Sequence, residues 1–162
     1  MQEGAQIEMA FVLDRPLAPP ASRRVPAETD GNEDNLEISV IFTSVEPTLR
    51  ALKQAATLAK RLAGHIALVV PQIVPYPLPL SSPPVLLEFN ERRFFTLAND
   101  SHVETTVRIY MCRDRLQALM KILRPCSMVV LGGRKRWWPT AESRIAKHLK
   151  KLGHEVVLVE TE

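Results

Sequence analysis

The residues that concentrate the most chemistry in the shortest span are Gly132-Gly133-Arg134-Lys135-Arg136-Trp137-Trp138-Pro139-Thr140. Paired glycines let consecutive backbone N–H groups turn toward an anion, and a Thr that caps the next helix sets that anion at the positive end of the helix dipole. Arg134, Lys135 and Arg136 add charge to such a cradle, although Pro139 removes one donor. The chain's two tryptophans, Trp137 and Trp138, are adjacent and follow these three cations directly. Aromatic faces beside guanidinium groups suit an acidic protein surface or a single-stranded nucleic acid, through charge and stacking. The plainer expectation is that one indole caps the sheet end, the other packs on the following helix, and the bases are solvated. Lys147, Lys150 and Lys151 continue the basic character along that helix.

No other group of residues forms a reaction centre. His65, His102, His148 and His154 are scattered without metal-ligand spacing. Ser44 and Ser143 have no neighbouring His or acid to serve as a base. Cys112 and Cys126 are too few for a disulfide scaffold, and they fall by strands that are not neighbours, so neither a metal site nor a disulfide is expected. The chain is read as non-enzymatic, without a metal.

Alternating patterns position the loop. Ile38, Val40 and Ile41-Phe42 form a β-branched and aromatic run ending in Thr43-Ser44. Leu49, Leu52, Ala55, Ala56, Ala59 and Leu62 then recur at helical spacing after Pro47, with Gly64 as the stop. Ile66 to Val70 is apolar throughout, as a strand covered on both faces should be, which completes a βαβ unit. Pro71 to Pro84 holds six prolines and reads as a long, unusually apolar connection. A helix is expected over about 82–98, a strand over 103–111, and a helix capped by Asp114 with Leu116, Leu119, Met120 and Leu123 inward. A strand over 128–131, a helix capped by Thr140 and a fifth strand over 155–159 complete the pattern. Strands alternating with helices specify an α/β fold, an open five-stranded parallel sheet with helices on both faces. Its ligand crevice lies at the carboxyl ends of the strands, bordered by Thr43-Ser44 and Gly132-Gly133.

Length, 46% apolar residues and 24% charged residues suit one globular domain, here residues 36–162. No apolar run is long enough to span a bilayer, no secretory leader is recognisable, and a cytoplasmic protein with no membrane partner is expected. The net charge of +3 conceals an asymmetry: residues 1–37 hold eight acids against three bases, leaving 18 bases and 10 acids in the other 125 residues. Residues 1–35, acidic and proline-containing, are expected to be a disordered tail.

The stretches ISVIFTSVEPTLRALKQAATLAKRLAGHIALVV, VETTVRIYMCRDRLQAL and SMVVLGG followed by TAESRIAKHLKKLGHEVVLVE resemble, in order and spacing, the universal stress protein family. The resemblance covers roughly residues 36–160 and implies strand order 3-2-1-4-5, commonly a dimer along the fifth strand, and in many members ATP in the crevice. Nucleotide-binding members end strand one with an Asp, where this chain has Thr43. Their phosphate loop reads G-x2-G-x9-G-[ST]; here only three residues separate Lys135 from Pro139-Thr140, six short of that spacing. The leading expectation is therefore a non-catalytic regulatory or interaction domain with weak or no ATP binding and no cofactor. It would dock a protein partner through Arg134, Arg136, Trp137 and Trp138. A homodimer would cover the apolar edge formed by Val156, Val157, Leu158 and Val159. The alternatives are a switch binding ATP or phosphate through Thr43, Ser44, Gly132, Gly133, Lys135 and Thr140, and a nucleic-acid-binding module built on the basic Trp-containing loop.

Overall fold

The computed structural model of the protein describes residues 10–17, 36–80, 92, 96 and 105–161. In chain order the elements are β1 (Ala10–Leu17), β2 (Glu37–Ile41), α1 (Val45–Leu62), β3 (His65–Ile73), β4 (Thr105–Cys112), α2 (Arg115–Ile122), β5 (Met128–Arg134), α3 (Ala141–Lys151) and β6 (Glu155–Thr161). They form one sheet in the order β1-β4-β3-β2-β5-β6. All pairings from β4 to β6 are parallel, so the five strands after β1 stand in the expected order 3-2-1-4-5. Period-two alternation sends Ile38 and Val40 to the face covered by α1, and Ile41, Val129 and Leu131 to the face covered by α2 and α3. Most of the expected helix at 82–98 falls outside the described residues. Within it, Arg92 and Thr96 are helical, and the Thr96 hydroxyl donates to the Arg92 carbonyl.

Two departures from the sequence reading lie on the β4 side of the sheet. Ala10–Leu17, assigned to the disordered tail, pairs antiparallel with β4, Ala10 opposite Met111 and Leu17 opposite Thr105. Its apolar run Ala10–Leu13 is cut short by Asp14, Arg15 and Pro16, and an edge strand, which needs one partner only, accommodates that proline. β3 continues through Pro71 to Ile73, where the expected connection had already begun. β2 stops opposite Val69, so from Pro71 onward β3 pairs with β4 alone, and the missing N–H of Pro71 is tolerated on the open flank.

α1 lies close to the sheet because its inner face is mostly small: Ala51, Ala55, Ala56 and Ala59 are buried with Leu52. The left-handed residue that ends it is Ala63, at φ 52°, and not Gly64. Gly64 is needed for another reason, since a Cβ there would run into the Leu36 carbonyl. Asp114 caps α2 by accepting from the Gln117 N–H at 2.8 Å. Met120, expected inward, is exposed, and the α2 core contact is made by Ala118 and Leu119. No helix among the described residues is long and apolar enough to cross a membrane.

At the amino edge of the sheet, Arg108 on β4 donates two hydrogen bonds to the Glu37 carboxylate on β2, at 2.8 and 2.9 Å, reaching across β3. His65 on β3 lies 3.3 Å from the same carboxylate. Burial alone would push the Glu37 carboxyl up. The hydrogen bonds and charge of Arg108, reinforced by His65, outweigh burial and hold it below its ordinary value. A carboxyl that is more acidic when folded adds stability above its unfolded pKa and loses it as pH falls through the folded value. Glu37→Gln should therefore lower stability by about 1–3 kcal/mol at neutral pH in urea unfolding. The difference from the parent should shrink below about pH 4.

Candidate functional site

In an open parallel sheet a ligand is received where neighbouring connections leave in opposite directions, at the carboxyl ends of the strands. Here that place lies between β2, which feeds α1 on one face, and β5, which feeds α3 on the other.

Gly132 and Gly133 do not form a free loop there. β5 runs through both of them to Arg134, in register with Val159, Glu160 and Thr161 of β6. The Lys135 N–H donates to the Thr161 carbonyl at 2.8 Å, and the Thr161 hydroxyl donates to the Gly133 carbonyl at 3.3 Å. The two glycines serve packing. Being consecutive in a strand they face opposite sides of the sheet, Gly132 toward α1 and Gly133 toward α3. A Cβ on Gly132 would overlap the Pro47 carbonyl in the first turn of α1, whereas one on Gly133 would reach ordinary contact, 3.4 Å from the Glu142 Cβ.

Thr43 is also committed to structure. Its hydroxyl donates to the Gly132 carbonyl at 2.8 Å, and its N–H donates to the Thr48 hydroxyl at 3.2 Å. It therefore ties the end of β2 to β5, at the position where the resemblance implies a ligand-addressing carboxylate. Thr140 caps α3 as expected: its hydroxyl accepts from the Ser143 N–H at 3.2 Å, and its carbonyl accepts from the Ser143 hydroxyl at 2.9 Å.

After Lys135 only Arg136, Trp137, Trp138 and Pro139 remain before this cap. Four residues with both ends fixed cannot carry an indole back onto the sheet end, and Pro139 further restricts Trp138. The expected burial of the two tryptophans is accordingly overturned: Trp137 is 95% exposed and Trp138 77%. Arg134, Lys135 and Arg136 are exposed beside them, and no ion pair to these three is found among the described residues.

A cleft of about 520 Å³ opens at this edge, lined by Ser44 and Pro47 at the start of α1, by Thr140, Ala141 and Glu142 at the start of α3, and by Arg134, Arg136, Trp138 and Pro139. Of the residues expected to hold an anion, Ser44 and Thr140 line it; Thr43, Gly132, Gly133 and Lys135 do not. Of those expected to dock a partner, Arg134, Arg136 and Trp138 line it, and Trp137 projects to solvent beside it. The cleft and the docking loop meet at one place, as the common segment Gly132–Thr140 implied. Two helix N-termini and two guanidiniums give it a positive potential, which Glu142 partly offsets.

Two other features lie apart from the cleft. A cavity of about 380 Å³ opens at the amino edge, beside the Glu37–Arg108 pair and the Arg124–Met128 turn. Cys112 and Cys126 are both free thiols. Burial pushes the Cys112 thiol up, Arg115 opposing the effect and Asp114 adding to it, which disfavours the thiolate form. The described residues contain no group of His, Cys, Asp and Glu arranged to hold a metal.

Solved structures carry the same architecture. A universal stress protein from Archaeoglobus fulgidus superposes with TM-score 0.56 at 14% identity, over 76% of this chain and 93% of that one. The fold is that of the universal stress proteins. A member of that family from Burkholderia pseudomallei gives TM-score 0.52 at 18% identity, over 76% and 94% of the two chains. A universal stress protein in complex with cAMP gives 0.52 at 12%, over 78% and 98%. No family model matches the chain, and no curated protein does. At such identities the likeness is one of fold.

The packing role of the glycines distinguishes them from a phosphate cradle, in which both would be needed for the same ligand. Gly132→Ala should destabilise the fold by about 1–3 kcal/mol in urea unfolding, because the rigid Pro47 backbone must move. Gly133→Ala should stay within about 1 kcal/mol of the parent.

Proposed function

We propose that the protein is a non-catalytic docking domain on the universal-stress-protein fold, taking an anionic partner at its carboxyl edge through Arg134, Arg136, Trp137 and Trp138, with weak or no ATP binding. The observation that carries this reading is the near-complete exposure of both tryptophans beside three cations that have no ion-pair partner among the described residues. Exposed aromatic and Arg side chains in one patch are the composition of binding hot spots. Against a phosphate cradle stand the commitment of Gly132, Gly133 and the Lys135 N–H to sheet and helix packing and the engagement of Thr43. The partner assembly would also include a homodimer along β6, whose Val157, Leu158 and Val159 are half-buried on an edge strand with no partner on its outer flank among the described residues.

A nucleotide-binding switch is the second reading. It is favoured by the cleft between two helix N-termini and by the structural neighbour that holds cAMP. Thermal unfolding with Mg-ATP, AMP, cAMP or phosphate separates the two. A ligand at 100 times its Kd adds roughly 2.7 kcal/mol, or about 5–10 °C for a domain of this size. The docking reading expects no such shift with any of the four. A shift abolished by Arg134→Gln with Arg136→Gln would establish the switch instead. For the dimer, Val157→Lys is expected to sediment as a folded monomer where the parent sediments as a dimer, and an undisturbed dimer would exclude the β6 interface.

A further inference from the structure

We infer that the partner taken at the carboxyl edge is a single-stranded nucleic acid, one base stacking on Trp138 within the cleft and a neighbouring base on Trp137 outside it. This inference rests on the docking reading and names its ligand. Three features of the site select this chemistry over other anions.

The first is shape. Arg134, Arg136 and Trp138 converge on a concavity of about 520 Å³, a volume that accepts a nucleotide-sized unit. A bilayer would require these side chains on a convex tip. The second is the pairing of flat and charged groups. An indole and two guanidiniums line the same cleft, and a second indole stands exposed on the adjacent residue. A polynucleotide supplies a flat ring and an anionic phosphate at every step of its chain, so successive units meet Trp138 and Trp137 while phosphates meet the cations. An acidic peptide supplies the charge but nothing flat to cover two indoles. The third is Glu142, the one acid among the described residues that line the cleft. It repels a carboxylate-rich peptide, yet it can accept a hydrogen bond from an exocyclic base amine. The N-termini of α1 and α3 flank the same space and favour phosphate there. A duplex keeps its bases stacked on each other and offers no face to either tryptophan.

Because Trp137 and Trp138 are the only tryptophans of the chain, its intrinsic fluorescence reports this site alone. The full chain is titrated with a single-stranded oligonucleotide of about a dozen nucleotides. The same sequence as a duplex, AMP, and polyglutamate are the other probes, over about 50 to 200 mM salt. The inference expects saturable quenching by the single strand, and log affinity falling against log salt with a slope of roughly −2 for three phosphate contacts. Arg136→Gln should reduce that slope by about 0.7. Trp138→Ala, read through Trp137, should weaken binding about 5-fold or more. Both side chains are exposed, so these variants keep the fold, as circular dichroism checks. Several results overturn the inference: no quenching by the single strand, quenching indifferent to salt, affinity unchanged in Trp138→Ala, or AMP binding as tightly as the oligonucleotide. Quenching by polyglutamate without the oligonucleotide overturns it while the docking reading stands. Binding of neither removes both.

Discussion

The carboxyl edge is organised by the contact of two helix N-termini with consecutive residues of one strand. Pro47 opens α1 directly over Gly132, and Glu142 in the first turn of α3 lies over Gly133 on the opposite face. Any side chain at Gly132 would force α1 away from the sheet, and with it the alanine-rich face that fills one half of the core. The same glycine anchors the end of β2, because its carbonyl receives the Thr43 hydroxyl. One position thus fixes a helix, a strand end and the floor between them. Overpacking against backbone is costly because backbone cannot change rotamer to relieve it.

That use of the glycines determines what remains for binding. Since β5 stays hydrogen-bonded to β6 up to Lys135, the chain has no slack in which to wrap a phosphate with its own N–H groups. What projects instead is a four-residue turn between the last sheet bond and the Thr140 cap, bearing two indoles and following two cations. Charge on side chains replaces donors on the backbone. Side-chain recognition of this kind is more tolerant of ligand shape than a backbone cradle, because Arg and Lys reach on flexible stems while a nest of N–H groups has one geometry.

Much of the fold was legible before any coordinates. The alternation of β-branched runs with helical spacing marks each parallel strand, and Asp114 and Thr140 cap the helices that they were expected to cap. Features that rest on a single flank were not legible. Among the described residues β1 and the Pro71 end of β3 each pair with β4 alone, and each carries a proline, Pro16 or Pro71, that argues against a strand paired on both flanks. The glycine pair misled for a different reason. Two glycines permit a tight loop and equally permit the close approach of two helices, and composition cannot tell permission to turn from permission to pack. A loop beginning at the pair would give the tryptophans enough chain to fold back, which the strand withholds.

The edge therefore divides its residues by what they cost to change. Gly132, Thr43 and Pro47 are bound to backbone neighbours, and replacing them is paid in stability whatever the ligand. Trp137, Lys135 and Arg136 lie outside the core, and their exposed surface contributes little to folding. Large exposed indoles gain free energy only when something covers them, and neighbouring like charges repel until an anion arrives. Both terms are unfavourable in the free protein, and a flat anionic ligand of the kind proposed would relieve both. A segment held open by a strand on one side and a capped helix on the other cannot relieve either term by collapsing on its own fold.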